Sequence, residues 1–275
     1  MTATSNPHPR EGGDLAQNGE RSPPARGLGC DGLALAGRLS DITARLNPGE
    51  ITAICGPNGA GKSTLLSCLA GLIAPTSGAV TLDGEPLGQI APRERARCIG
   101  YLPQSPEVAW DVSVETLVSL GRLPWKDAPA PETRAAIDEA LAAMDLDALR
   151  ARPVSQLSGG ERARALMARV LATRPGWLLA DEPLANLDLA YAAALVDRLR
   201  LQAAAGRGVV LVLHDLASAM NHADRVLVLA DGSLVADGPP AAALSEDTIA
   251  RVWQVDPRWI GEPGARALTV RPLRA

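Results

Sequence analysis

Residues 56–63 read GPNGAGKS and sit between the apolar run Ile51 to Cys55 and the helix-like stretch Thr64 to Leu72. The octet fits G-x-x-x-x-G-K-[ST], whose glycines let the backbone curl until several N–H groups point inward at an anion. The helix that follows adds its positive end to the same spot. This commits the chain to a strand–loop–helix unit that grips phosphate. Gly56, Pro57, Asn58, Gly59, Ala60, Gly61, Lys62, Ser63 and Thr64 form the candidate nucleoside triphosphate site. Lys62 reaches the β- and γ-phosphates, and Ser63 offers a hydroxyl to Mg²⁺.

At 275 residues the chain can bury one sizeable core, with room for a subdomain. Five Trp, two Tyr and no Phe leave Leu, Val and Ala to build it. A net charge of −4 and the lack of any Lys/Arg block argue against a nucleic-acid partner. No apolar run approaches the roughly 18 residues that span a bilayer. The first 27 residues lack the apolar stretch of a signal peptide and read as a disordered tail. Cys30, Cys55, Cys68 and Cys98 are scattered without His partners, which favours buried thiols in a reducing compartment over disulfides or a metal site.

Short strand-like runs precede helical ones: Ile51–Cys55 before Thr64–Leu72, and Trp177–Ala180 before Ala192–Leu199. This alternation predicts an α/β fold with a largely parallel sheet. Asp83-Gly84 and Asp231-Gly232 follow strand-like runs and read as hairpin turns. The middle third is helical over 113–123 and 132–150, interrupted by prolines 124, 129 and 131, with Ile137, Leu141 and Met144 on one face. After residue 160, Ala163, Leu166, Met167, Val170 and Leu171 keep the spacing of an amphipathic helix, with Arg162 and Arg169 on its other side.

Two further segments complete a triphosphatase. In WLLADE (177–182) a buried-strand pattern ends in Asp181, placed to hold Mg²⁺, and Glu182, placed to act as general base. In LSGGE (157–161) Ser158 and the Gly159-Gly160 backbone open the amphipathic helix, a second potential anion grip. Ser158 and Glu161 also have the spacing of a capping box.

Phosphate loop, LSGGE, strand-DE and a later His, in that order over about residues 30–260, resemble an ATP-binding cassette (ABC) ATPase. The resemblance implies a P-loop core with a mostly parallel sheet, an antiparallel β subdomain and an inserted α-helical subdomain. It divides the chain into a tail (1–27), an ATPase domain (28–262, with the helical insert at about 105–165) and a C-terminal extension (263–275). It also implies that two copies face each other, with Leu157, Ser158, Gly159, Gly160 and Glu161 of one closing over ATP held by the other. Gln104, in IGYLPQ (99–104), matches the loop that contacts Mg²⁺ or the attacking water, so Ser63, Gln104 and Asp181 become the Mg²⁺ set. His214, after VVLVL (209–213), matches the switch histidine at the γ-phosphate, and Asp188 in ANLD (185–188) matches the loop that communicates across the dimer. Catalysis then falls to Glu182, His214, Lys62 and Gln104. His8 falls in the tail, and His222 matches nothing and reads as a surface residue.

One departure stands out. The family stacks adenine on an aromatic residue about twenty positions before the phosphate loop, which here is near Ala34, and no aromatic precedes Tyr101. Arg38 is the substitute at hand, and poor discrimination between ATP and GTP is expected. Beyond the cassette, WDVSVETLVSLGRLPW (110–125) and IARVWQVDPRWI (249–260) resemble cassettes serving iron-chelate, haem and vitamin B12 uptake. The implied partners are a second copy, a two-copy transmembrane permease and, indirectly, an extracytoplasmic binding protein. The implied location is peripheral, on the cytoplasmic face of the membrane. A split exporter and a soluble non-transport ATPase remain the alternatives.

Overall fold

In the computed structural model, which describes Met1 and residues 27–105, 111–185 and 187–272, the apolar runs of the sequence become the middle of a sheet. The expected tail, save Met1 and Gly27, lies outside the described residues. The chain enters through the antiparallel pair β1 (Leu28–Leu35) and β2 (Leu39–Leu46), then passes along β3 (Ile51–Cys55) into α1 (Lys62–Leu69). β4 (Ser77–Leu82) and β5 (Glu85–Pro86) join the first pair in an antiparallel sheet of order β2-β1-β4-β5. α2 (Pro92–Cys98) and β6 (Ile99–Leu102) lead to a helical middle. This comprises α3 (Val114–Ser119), a 3-10 turn at Leu120–Trp125, α4 (Ala130–Ala143) and α5 (Gly159–Leu171). The chain returns through β7 (Trp177–Asp181), α6 (Leu189–Ala204), β8 (Gly208–Val212), α7 (Leu216–His222), β9 (Arg225–Ala230) and β10 (Ser233–Gly238). It closes with α8 (Pro240–Ala243), α9 (Glu246–Trp253), β11 (Val255–Ile260) and β12 (Ala267–Pro272).

β3, β7 and β8 are buried at every position, as strands covered on both faces must be. They form the centre of a sheet of order β10-β9-β3-β8-β7-β6, parallel throughout except for the edge strand β10. Because side chains alternate across a strand, neighbours feed different cores. Ile54, Leu179, Val210 and Val212 pack with Leu33, Ile42 and Leu65 from β1, β2 and α1. Ala53, Leu178, Ala180 and Leu211 pack with Leu117, Leu141 and Leu166 of the helical middle. The α/β class, the parallel sheet, the antiparallel unit and the helical insert are all present as expected.

Both Asp-Gly turns are hairpins. Asp83 and Gly84 (φ +56° and +82°) join β4 to β5, and Asp231 and Gly232 (φ +47° and +77°) join β9 to β10. Two left-handed residues in a row are what a two-residue hairpin of this twist requires. Cys30, Cys55 and Cys68 are buried free thiols and Cys98 is half-buried. Burial pushes the Cys30 thiol up to about 11 and the Cys55 thiol up to about 12, so neither is a nucleophile.

Some boundaries differ from the sequence reading. The helix expected over 132–150 runs from Ala130 to Ala143. Pro131 sits in its first turn, where the missing N–H has no partner to lose, so this proline starts the helix instead of breaking it. Asp145, at φ +48°, turns the chain away just past the end. The C-terminal residues expected as an extension from 263 supply β12, which pairs with β11 from Val255↔Pro272 to Ile260↔Ala267. The boundary at 262 therefore falls in the turn of one hairpin, which Trp259 and Leu268 pack onto the core.

Candidate active site

The parallel sheet decides which residues meet. The phosphate loop follows β3, Asp181 ends β7 with Glu182 next to it, His214 lies just past β8, and Gln104 follows β6. These strands are adjacent and parallel, so all four segments emerge along one edge, at their carboxyl ends. The resulting cleft, ≈ 640 Å³, is walled by Asn58, Gly59, Gly61, Lys62, Ser63 and Thr64 on one side and Gln104, Glu182 and His214 on the other. Gly37 and Arg38, from the turn between β1 and β2, complete it.

Within the loop, Gly56, Gly59 and Gly61 all have positive φ. A Cβ at Gly56 would lie 2.2 Å from the Leu229 carbonyl oxygen, so that glycine is fixed by close packing against β9 as well as by conformation. Ala60 is buried in the core rather than in the cleft wall. α1 begins at Gly61 with no side-chain cap and no acid in its first turn, which leaves its leading N–H groups for a ligand. Lys62 is nearly buried and donates from Nζ to the carbonyls of Gly56 and Pro57, 2.9 Å each. Burial lowers its pKa, and the nearby Glu182 carboxylate opposes that shift.

Asp181 is 4% exposed, and its Oδ1 has no hydrogen-bond partner. Burial raises its pKa, while a hydrogen bond from Ser63 works the other way. A buried carboxylate oxygen without a partner beside a serine hydroxyl, both hard oxygen donors, suits a divalent cation. Glu182 stands at φ +52°, a strained backbone for a non-glycine residue. Its N–H donates to the Val212 carbonyl at 3.2 Å. Its Oε2 accepts from Gln104 Nε2 at 2.8 Å, and its Oε1 contacts His214 Nε2. The three polar side chains expected around the reacting phosphate are thus tied together across the ends of β6, β7 and β8.

Arg38 lies in the cleft wall while Ala34, the position expected for an aromatic, is paired with Ser77 in the antiparallel sheet. None of Leu157, Ser158, Gly159, Gly160 or Glu161 lines the cleft. They open α5 with a closed capping box. The Ser158 N–H donates to Glu161 Oε2 at 2.8 Å, and the Glu161 N–H donates to Ser158 Oγ at 3.3 Å. Asp188 caps α6, accepting from the Tyr191 N–H at 2.9 Å. Its neighbour Asn186 lies outside the described residues. His222 corrects the sequence reading: it is half-buried, with Nδ1 sealed from solvent and unpartnered, and burial lowers its pKa. Sequence reasoning also missed Gly37, which only the β1–β2 turn brings to the cleft, and Tyr191, whose ring faces Gly160 at the start of α5.

The lysine loop, the carboxylate pair at a neighbouring strand end and the shared sheet edge define a P-loop nucleoside triphosphatase. Residues 39–185 match the family model described as ABC transporter. The hemin import ATP-binding protein HmuV of Nocardia farcinica is 42% identical over 95% of this chain and 96% of its own length. Its counterpart in Streptomyces coelicolor is 41% identical over 88% and 87%. Among solved structures, CbiO1 of Clostridium perfringens, part of the ABC transporter complex CbiONQ, aligns with TM-score 0.73 and 29% identity over 82% of this chain and 94% of its own. An inward-facing putative metal-chelate type ABC transporter shares the fold, with TM-score 0.76 at 24% identity over 90% and 98%. The chain belongs to the ABC transporter ATPase family: it binds ATP, and its hydrolysis is coupled to transport. No helix among the described residues is long and apolar enough to cross a membrane.

Proposed function

We propose that this chain is the ATP-hydrolysing subunit of an importer for haem or a closely similar iron chelate. The observation that carries the cargo is the 42% identity to a hemin import ATP-binding protein along almost the full length of both chains. Two copies dock on the cytoplasmic face of a two-copy permease, fed from outside by a binding protein, with no nucleic acid involved.

ATP lies on residues 56–64, and Lys62 exchanges the carbonyls of Gly56 and Pro57 for phosphate oxygens. Ser63, Asp181 and Gln104 would hold Mg²⁺, which when bound offsets the negative charge of the phosphates. Glu182 takes the proton of the attacking water, and His214 fixes that carboxylate and reaches toward the γ-phosphate. Lys62 stabilises the charge that develops. Ser158, Gly159 and Gly160 of the second copy close over the γ-phosphate. Leu157 and Glu161 hold that helix end, and Asp188 relays between copies. Cleavage removes the anion that joins the two copies, so they part and the permease resets.

Growth of the source cell on haem as sole iron source tests the cargo. Deleting the gene should abolish that growth, the wild-type chain should restore it, and Glu182→Gln should not. Normal growth on haem with loss of a siderophore or cobalamin supply would reassign the cargo. A tagged chain that brings down no polytopic partner from solubilised membranes would contradict the assembly.

A further inference from the structure

Of the two glycines of the LSGGE segment, only one is held to its size by packing within its own protomer. A Cβ added at exposed Gly159 meets nothing within 4 Å, whereas one added at buried Gly160 comes 2.5–2.8 Å from ring atoms of Tyr191. Gly160 therefore turns its open side inward, onto an aromatic ring of its own protomer. Tyr191 stands in the first turn of α6, and its N–H donates to Asp188, the cap of that helix. The same ring receives the Arg164 guanidinium at 5.9 Å from its centroid. Arg164 in turn donates to the carbonyls of Met144 and Asp145 at 2.9 and 3.2 Å, and Asp145 pairs with Arg198, back on α6. The links make a closed circuit: the start of α6, the start of α5, the end of α4, and α6 again.

We propose that Tyr191 is a positioning residue for ATP hydrolysis. Its ring sets the distance between Asp188 and the first turn of α5, so that a displacement of Asp188 as two copies close moves Ser158, Gly159 and Gly160 with it. The proposal rests on the reading that this segment meets nucleotide held by the second copy. It explains the glycine at the fourth residue of the segment by packing within one protomer. The side chain it would gain points at Tyr191.

The test is steady-state ATPase kinetics on the full chain co-purified with its membrane subunits. Because the contacts are made by the ring, Tyr191→Phe should keep kcat within about two-fold. Tyr191→Ala should lower kcat by about ten-fold while KM for ATP stays within about two-fold, since the phosphate loop is untouched. Gly160→Ala should lose turnover, and adding Tyr191→Ala to it should raise turnover above that of Gly160→Ala alone, because the obstructing ring has gone. Additive losses in the double variant, or an unchanged kcat in Tyr191→Ala, would overturn the proposal. Ser158→Ala run alongside separates the two layers. If it keeps full turnover, the reading of the segment as part of the site fails; if only Tyr191→Ala keeps it, the positioning role alone fails.

Discussion

Two helices of this protein begin at glycine-rich segments suited to phosphate, and they are finished in opposite ways. α1 starts at Gly61 with no side-chain cap and no acidic residue in its first turn, in a cleft lined by residues of its own protomer. α5 starts at Ser158 with its capping box closed by Glu161, away from that cleft. The first is an anion site with its donors free and a lysine in reserve. The second satisfies part of its own N-terminus and carries a negative charge in its first turn, both of which disfavour an anion there in the absence of other groups. Ser158 Oγ accepts from its own helix, which leaves its O–H free to donate outward. On the proposed reading, one helix captures nucleotide and the other meets nucleotide held by the second copy.

The strongest way to sharpen this contrast is to disable the capturing half. Lys62→Ala should cost both ATP affinity and turnover, whereas Glu182→Gln should retain ATP binding and lower kcat by about 100-fold or more, as read by nucleotide binding and phosphate release. Glu182→Gln that still turns over at wild-type rate would show that another group activates water.

Asp181→Asn should also lower hydrolysis by about 100-fold, yet raise the melting temperature by about 2–4 °C. The sign follows from burial. The carboxyl pKa is raised in the folded chain, so ionising it opposes folding at neutral pH. That opposition disappears as pH falls through the raised pKa, and the two melting curves should converge there. A variant that melts lower than wild type at neutral pH would mean the carboxylate is net stabilising.

On α5, Glu161→Ala opens the capping box at a cost of about 1 kcal/mol, lowering the melting temperature by about 2–4 °C with ATP affinity unchanged. A weakened ATP affinity in the isolated chain would place this segment in its own protomer's site. The smallest effect concerns the base. With Gly37 and Arg38 at the cleft and no aromatic residue before Tyr101, kcat/KM for ATP should exceed that for GTP by less than about ten-fold. A larger preference would point to base contacts that these residues do not provide.

How much of this was legible in the sequence varies with how local the constraint is. The phosphate loop, both Asp-Gly hairpins and the Ser158–Glu161 box are written in neighbouring residues, because backbone conformation dictates them. The assembly of Gln104, Glu182 and His214 is not local. It follows once the strands are parallel and adjacent, which alternating apolar runs predict as a class but not in order. What escaped depends on tertiary packing alone. Tyr191 meets Gly160 only because α6 crosses the start of α5, and His222 is covered by packing that its own helix does not show. The β11–β12 hairpin escaped because Pro257 and the alternating charges of Val255–Ile260 resemble a linker, and its pairing partner lies beyond the turn that holds Gly261, Pro263 and Gly264.

The central claim is that each nucleotide is caught by one copy and closed by the other, and paired hybrids test it directly. One hybrid carries Lys62→Ala on one copy and Ser158→Ala on its mate, and the other carries both changes on the same copy beside a wild-type mate. Two affinity tags isolate each assembly for an ATPase assay. If the site is shared, the first hybrid keeps one intact site and the second keeps none, so the first is the faster. If each copy closes over its own nucleotide, the order reverses, and that result would contradict the account.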